Sequence, residues 1–132
     1  MAKSEYRIQQ EIVIWFNNQF PKLRGTLCYN NNNSVGGYRG KENKFLGVIK
    51  GRSDMVLYLQ GKAYMLELKT DKGRQSKSQK EWQQLMLEQG FEYFVLRSLD
   101  DFKKFIMALS EYKGEEIIAK IIIKGGKKTE ER

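Results

Sequence analysis

Asp54, Glu67 and Lys69 are the residues whose types and spacing could do chemistry together. Side chains alternate across a strand with a period of two. Within a strand over Lys62–Lys69, therefore, Ala63, Met65, Glu67 and Lys69 share one face and Tyr64, Leu66 and Leu68 the other. Gln60-Gly61 reads as a hairpin turn from a preceding strand over Asp54–Leu59, although Gln is a poor first residue for one. A turn centred between these two residues sets Leu59 opposite Lys62 and Asp54 opposite Glu67. Directly opposed residues lie on one face with Cβ atoms about 4.5–5.5 Å apart, so two carboxylates and an ammonium converge.

Two carboxylates at that separation repel unless a cation sits between them or one binds a proton. A hard divalent ion such as Mg2+ fits, because it takes oxygen ligands from one or two carboxylates and completes its shell with water and phosphate. Mn2+ is expected to substitute. Asp54 and Glu67 would hold the ion, and Lys69 would orient a water or offset developing negative charge, which describes phosphodiester hydrolysis.

The elements around these residues must position them. Ser4 can cap a first helix whose apolar positions Ile8, Ile12, Trp15 and Phe16 form one stripe and which ends near Asn18, before Pro21. Gly25–Arg52 dissolves into a long Asn-, Gly- and Lys-rich segment with a short strand at Thr26–Tyr29. After Lys69, Ser78-Gln79-Lys80-Glu81 fits a capping box. It opens a helix with Trp82, Leu85 and Met86 buried and Gly90 at its close. Gln79, in the first turn of that helix, would turn its amide toward the sheet, within reach of a water or the lysine. "FEYFVLRS" is a further strand, and Ser98 with Asp101 caps a last helix with Leu99, Phe102, Phe105, Ile106 and Leu109 inward. Ile117–Ile123 reads as either helix or strand. The order implies an α/β sandwich around a mixed sheet.

The bulk properties agree with that assignment. The chain of 132 residues suits one domain, here residues 1–124 with a charged tail at 125–132. Its 24 Lys and Arg against 16 Asp and Glu give +8, a balance that suits a polyanionic partner. One cysteine and no histidine exclude an internal disulfide and the usual Cys/His zinc sites. No run approaches the roughly 20 apolar residues of a membrane span and none reads as a signal peptide. The expected setting is therefore the cytoplasm.

The residues also carry a resemblance. "GRSDMVLYL", "AYMLELK" and "SKSQKEWQQLMLEQGFEYFVLRSLDDF" resemble, in order, the PD-(D/E)XK nuclease superfamily and specifically its VRR-NUC branch. The similarity spans Glu5 to Phe102. Asp54 stands as the acidic residue, Glu67-Leu68-Lys69 as the E-x-K and Gln79 as the downstream glutamine. The resemblance implies a three-layer α/β/α restriction-endonuclease-like core with a mixed central sheet. It further implies an Mg2+- or Mn2+-dependent endonuclease that leaves a 5′-phosphate, with the Leu68 carbonyl as a further metal ligand. Glu5 best matches the acidic residue of the branch's opening helix, with Glu11 as second candidate. Small stand-alone members resemble phage proteins, which implies a bacterial or phage-infected host cell. Arg52-Ser53 stands where a Pro or apolar residue is common, which bears on the turn before Asp54.

The expected substrate is DNA, cut by structure (flap, junction or nick) since the chain has no separate sequence-reading module. A homodimer would hold two DNA arms. Arg39, Lys41, Lys44 and Arg52 before the hairpin, and Lys72, Arg74 and Lys77 after it, suit phosphate contacts. Two alternatives stay open: an RNA-directed nuclease, and a catalytically silent nucleic-acid-binding module on a nuclease scaffold. Against these stand bland readings. Glu67 and Lys69 alone would be an ordinary pair on a half-exposed strand, and Gln79 an ordinary first-turn residue.

Overall fold

The computed structural model describes residues 3–30, 46–47 and 49–113, with the side chains of 110–113 excepted. The Asn-rich run with Arg39, Lys41 and Lys44, the Ile117–Ile123 element and the tail lie outside the described residues.

Helix α1 (Glu5–Gln19) starts where Ser4, in extended conformation, accepts the Arg7 amide hydrogen on its side chain. Pro21, which fixes φ and lacks an N–H, opens a short 3-10 turn at Pro21–Leu23 instead of extending the helix. Strand β1 (Leu27–Tyr29) leads toward β2 (Met55–Leu59) and β3 (Lys62–Leu68), followed by α2 (Lys77–Glu88), β4 (Glu92–Leu96) and α3 (Leu99–Lys113).

The sheet runs β1-β2-β3-β4, antiparallel except for the parallel pair β3/β4, which α2 connects. A parallel neighbour needs such a crossover, whereas β2 and β3 need only a tight turn. Gln60 at φ 54° and Gly61 at φ 76° supply it, both in the left-handed region that a two-residue I′-type turn demands. Leu59 pairs with Lys62 and Met55 with Leu66, the register expected from the sequence, which carries Asp54 opposite Glu67.

The architecture is α/β, with a mixed sheet covered on both faces. On one face, Met55, Leu57, Leu59, Tyr64, Leu66 and Leu68 pack with Ile8, Ile12 and Phe16 of α1 and Phe102, Phe105, Ile106 and Leu109 of α3. Each such side chain contributes about 1.5–3 kcal/mol on burial. Edge contacts of Trp15 with Phe20 and Phe102, and of Tyr64 with Phe105, knit the helices to the strands.

The other face lies under α2, which leans on β4 through the Trp82–Tyr93 ring contact. The stripe expected to be buried on α2 is only half covered: Trp82 and Met86 are intermediate and Leu85 is exposed, because this single helix cannot enclose its apolar face. No helix among the described residues is long and apolar enough to cross a membrane.

Candidate active site

Glu67 and Lys69 stand at the end of β3 on the α2 face, and both are withdrawn from water, at 0% and 8% exposure. Buried charges of this kind are rare unless paired or engaged with a ligand. The Lys69 backbone amide continues the parallel ladder by donating to the Leu96 carbonyl at 3.0 Å, which fixes where its side chain starts. Its Nζ lies 3.8 Å from Glu67 Oε2.

The two oxygens of Glu67 differ. Oε1 accepts from the Tyr93 hydroxyl at 2.5 Å and from the Gln75 side-chain amide at 3.0 Å. Oε2 is buried and, among the described residues, makes no hydrogen bond; its one charged neighbour there is Lys69 Nζ at 3.8 Å. A buried carboxylate oxygen without a hydrogen bond is costly, and the arrangement leaves room for a further electropositive group beside the Lys69 ammonium.

Asp54 lies just before β2, and its Oδ2 accepts the Leu68 backbone amide hydrogen at 2.6 Å. Asn30 steadies the approach: its backbone amide donates to the Asp54 carbonyl and its side-chain amide to the Ser53 carbonyl. Buried Ser53 donates its hydroxyl to the Met55 carbonyl. Upstream, Gly51 has φ 87°, and a Cβ there would meet the Ser78 backbone at 2.5 Å, so the chain entering the site passes directly against the start of α2.

Burial pushes the Asp54 carboxyl above the ordinary range. The negative charges of Glu5 and Glu67 push it further, opposed by the Leu68 amide and Lys69. Tyr93 is raised strongly, first by burial and then by its hydrogen bond to Glu67, which keeps its hydroxyl a donor.

The structure thus brings Asp54, Glu67, Leu68 and Lys69 together, with exposed Glu5 near enough to act on Asp54 electrostatically. Glu11 is engaged elsewhere, holding Lys3 at 2.7 Å and Arg7 at 3.5 Å. Among the described residues no three Asp, Glu, His or Cys side chains form a ready-made metal cluster, so any cation here would rely on two carboxylates and backbone or solvent oxygens.

Gln79 is placed otherwise than expected. The capping box is Ser76 with Gln79, not Ser78 with Glu81: Ser76 Oγ accepts from the Gln79 amide, and Gln79 Oε1 accepts from the Ser76 amide at 2.8 Å. The glutamine that reaches Glu67 is Gln75, whose amide nitrogen also donates to Gln83 Oε1 at 2.6 Å. Gln75 and Tyr93 were not foreseen. The register pairing Met65 with Tyr93 and Glu67 with Val95 puts Tyr93 on the face of Glu67, a relation that appears only once β4 is known to run parallel beside β3.

Of the expected phosphate contacts among the described residues, Lys72, Arg74 and Lys77 are exposed beside the site. Arg52 is only half exposed, drawn into the turn leading to Asp54. The Lys72–Arg74 loop is held from behind by Arg97, whose Nη1 donates to the carbonyls of Thr70 at 2.7 Å, Asp71 at 3.3 Å and Gly73 at 2.8 Å.

No protein-family model matches the chain, and no curated protein matches it. A solved structure described as a "VRR_NUC domain protein" superposes with a TM-score of 0.68 at 17% identity, covering 84% of this chain and 91% of that one. The chain has the fold of that protein, so the resemblance read from the motifs holds at the level of fold.

Proposed function

We propose that the protein is a divalent-metal-dependent endonuclease that hydrolyses phosphodiester bonds in DNA, with a preference for branched, flapped or nicked substrates. The observation that carries this reading is the Glu67 carboxylate, wholly buried, with Oε2 free of hydrogen bonds among the described residues, Lys69 Nζ 3.8 Å away, and a strand position opposite Asp54. A protein that only binds nucleic acid needs positive charge and gains nothing from two apposed carboxylates with raised repulsion. The nuclease-type domain named for its structural neighbour supports the same class of chemistry.

Asp54, Glu67 and the Leu68 carbonyl would hold Mg2+ or Mn2+, which supplies polarisation of the phosphoryl oxygen when bound. Lys69, nearly buried, retains a cation beside the reacting group and can orient an attacking water or offset charge developing on the phosphate. Glu5, whose negative charge acts on Asp54, would favour cation entry. Lys72, Arg74 and Lys77 would carry backbone phosphates toward it.

The test is cleavage of labelled single-stranded, duplex, nicked, flap and four-way DNA and one RNA, with Mg2+, Mn2+ or EDTA, using wild type beside Lys69→Ala. Cuts that need metal and vanish in the variant are expected. Binding that falls with salt, ignores metal and never leads to cutting would replace this reading with a silent binding module.

A further inference from the structure

The hydrogen bonds around Glu67 divide its carboxylate into two unlike oxygens. A carboxylate oxygen offers about two lone-pair directions. Oε1 receives two donors, the Tyr93 hydroxyl and one Gln75 N–H, and is thereby saturated. The second Gln75 hydrogen goes to Gln83 Oε1, so that amide has neither a spare donor nor freedom to rotate. Trp82 packs against the Tyr93 ring at 6.1 Å and fixes the hydroxyl in turn. The remaining capacity of Glu67 lies on Oε2, buried and, among the described residues, without a hydrogen bond, with Lys69 Nζ 3.8 Å away.

Asp54 shows the same division: Oδ2 takes the Leu68 amide at 2.6 Å, which leaves Oδ1 as its less committed oxygen.

We propose that Tyr93 and Gln75 are positioning residues that hold Glu67 as a one-oxygen ligand, and that this restraint sets which divalent ion the site accepts. The inference rests on the metal-dependent reading above. A carboxylate with one oxygen occupied cannot grip an ion with both. Mg2+ and Mn2+ suit single oxygens from one or two carboxylates plus waters, whereas Ca2+ takes six to eight oxygens and often both from one carboxylate. The Tyr93–Gln75 pair therefore disfavours Ca2+ by withholding Oε1. Partners that orient a ligand in this way typically change metal affinity by 10- to 100-fold when removed.

The experiment is calorimetric titration of Mn2+ and of Ca2+ into the full chain without nucleic acid, for wild type, Tyr93→Phe and Gln75→Met. Both substitutions keep the size of the side chain and delete the donor, and circular dichroism confirms folding. The expected result is Mn2+ affinity about 10-fold or more weaker in each variant, with the preference for Mn2+ over Ca2+ narrowed. A loss of packing alone would not alter that ratio. Gln75→Met, in the loop before α2, carries the test if Tyr93→Phe does not fold. Variants that fold and keep the wild-type Mn2+ affinity and ratio overturn the inference while the nuclease reading stands. A wild type that binds neither ion overturns both.

Discussion

The backbone amide of Leu68 donates to the Asp54 carboxylate at 2.6 Å, so the residue between Glu67 and Lys69 holds the acid of the neighbouring strand. One hydrogen bond thereby ties the two halves of the site, and its acceptor is a group whose charged form burial, Glu5 and Glu67 disfavour. Under the proposed function, Asp54 is consequently the residue at which stability and activity conflict.

The sign of that conflict follows from linkage. Burial, with Glu5 and Glu67, raises the Asp54 pKa above its unfolded value, so between the two values the folded chain binds the proton more tightly. The Asp54 contribution to stability is fully present below the ordinary Asp pKa of about 3.9 and is lost as pH rises through the raised value. Asp54→Asn keeps an acceptor for Leu68 and removes the charge. In EDTA at neutral pH it should melt above wild type, with the gap closing in acid, while cleavage falls about 100-fold or more. Saturating metal should reverse the order, since an ion at 100 times its Kd adds about 2.7 kcal/mol to wild type. Melting curves across pH, with and without Mn2+, decide it; a variant less stable than wild type in EDTA at neutral pH would count against the site as described.

Gly51 positions the same acid from the other side. Alanine there must adopt φ 87° and place a methyl 2.5 Å from the Ser78 backbone, which cannot yield as a side-chain tip would. The left-handed conformation alone costs about 1–2 kcal/mol. Gly51→Ala is expected to lose roughly 2–3 kcal/mol in denaturant titration, and cleavage with it, because the segment entering Asp54 shifts. Unchanged stability would show that the segment does not pack on α2.

Arg97 makes a third prediction. Its guanidinium gathers the carbonyls of Thr70, Asp71 and Gly73, the turn that carries Lys72 and Arg74 away from Lys69. All three bonds come from Nη1, at the end of a planar group whose position a flexible lysine stem does not reproduce, so Arg97→Lys should recover only part of what Arg97→Ala loses. Arg97→Ala should cost about 2 kcal/mol and Arg97→Lys less. Trypsin should then cut after Lys72 and Arg74 several-fold faster than in wild type under native conditions. Equal digestion rates would mean the turn holds without the arginine.

How far the site was legible in the sequence follows from which interactions are local. The hairpin was readable because period-two alternation and a turn ending in Gly61 fix its register, and register alone sets Asp54 opposite Glu67. The caps at Ser4 and Ser98 were readable because the backbone amides that donate to their hydroxyls, those of Arg7 and Asp101, lie only three residues on. The start of α2 was ambiguous, since "SKSQKE" contains two overlapping capping patterns, Ser76 with Gln79 and Ser78 with Glu81. The close approach of Gly51 to Ser78 and the tether of Gln75 to Glu67 accompany the earlier start, and both reach beyond the few residues a capping pattern spans. Tyr93 was hidden for a similar reason: alternation orders the faces within β4 but does not tell which strand lies beside it.

That overlap bears on Gln79, the glutamine the motif resemblance marks as part of the site. Its Oε1 accepts from the Ser76 amide at 2.8 Å and its backbone amide donates to Ser76 Oγ, so its side chain is held at the helix start. Gln79→Ala should therefore behave as a capping lesion: a loss of about 0.5–1 kcal/mol, matched by Ser76→Ala, with cleavage reduced only a few-fold. Gln75→Met should do the converse, with modest effect on melting and a larger one on the metal concentration needed for half-maximal cleavage. Measuring melting and metal dependence on the three variants together separates the roles. A 100-fold loss of cleavage in Gln79→Ala at unchanged stability would mean that its amide leaves the cap and enters the site when nucleic acid binds.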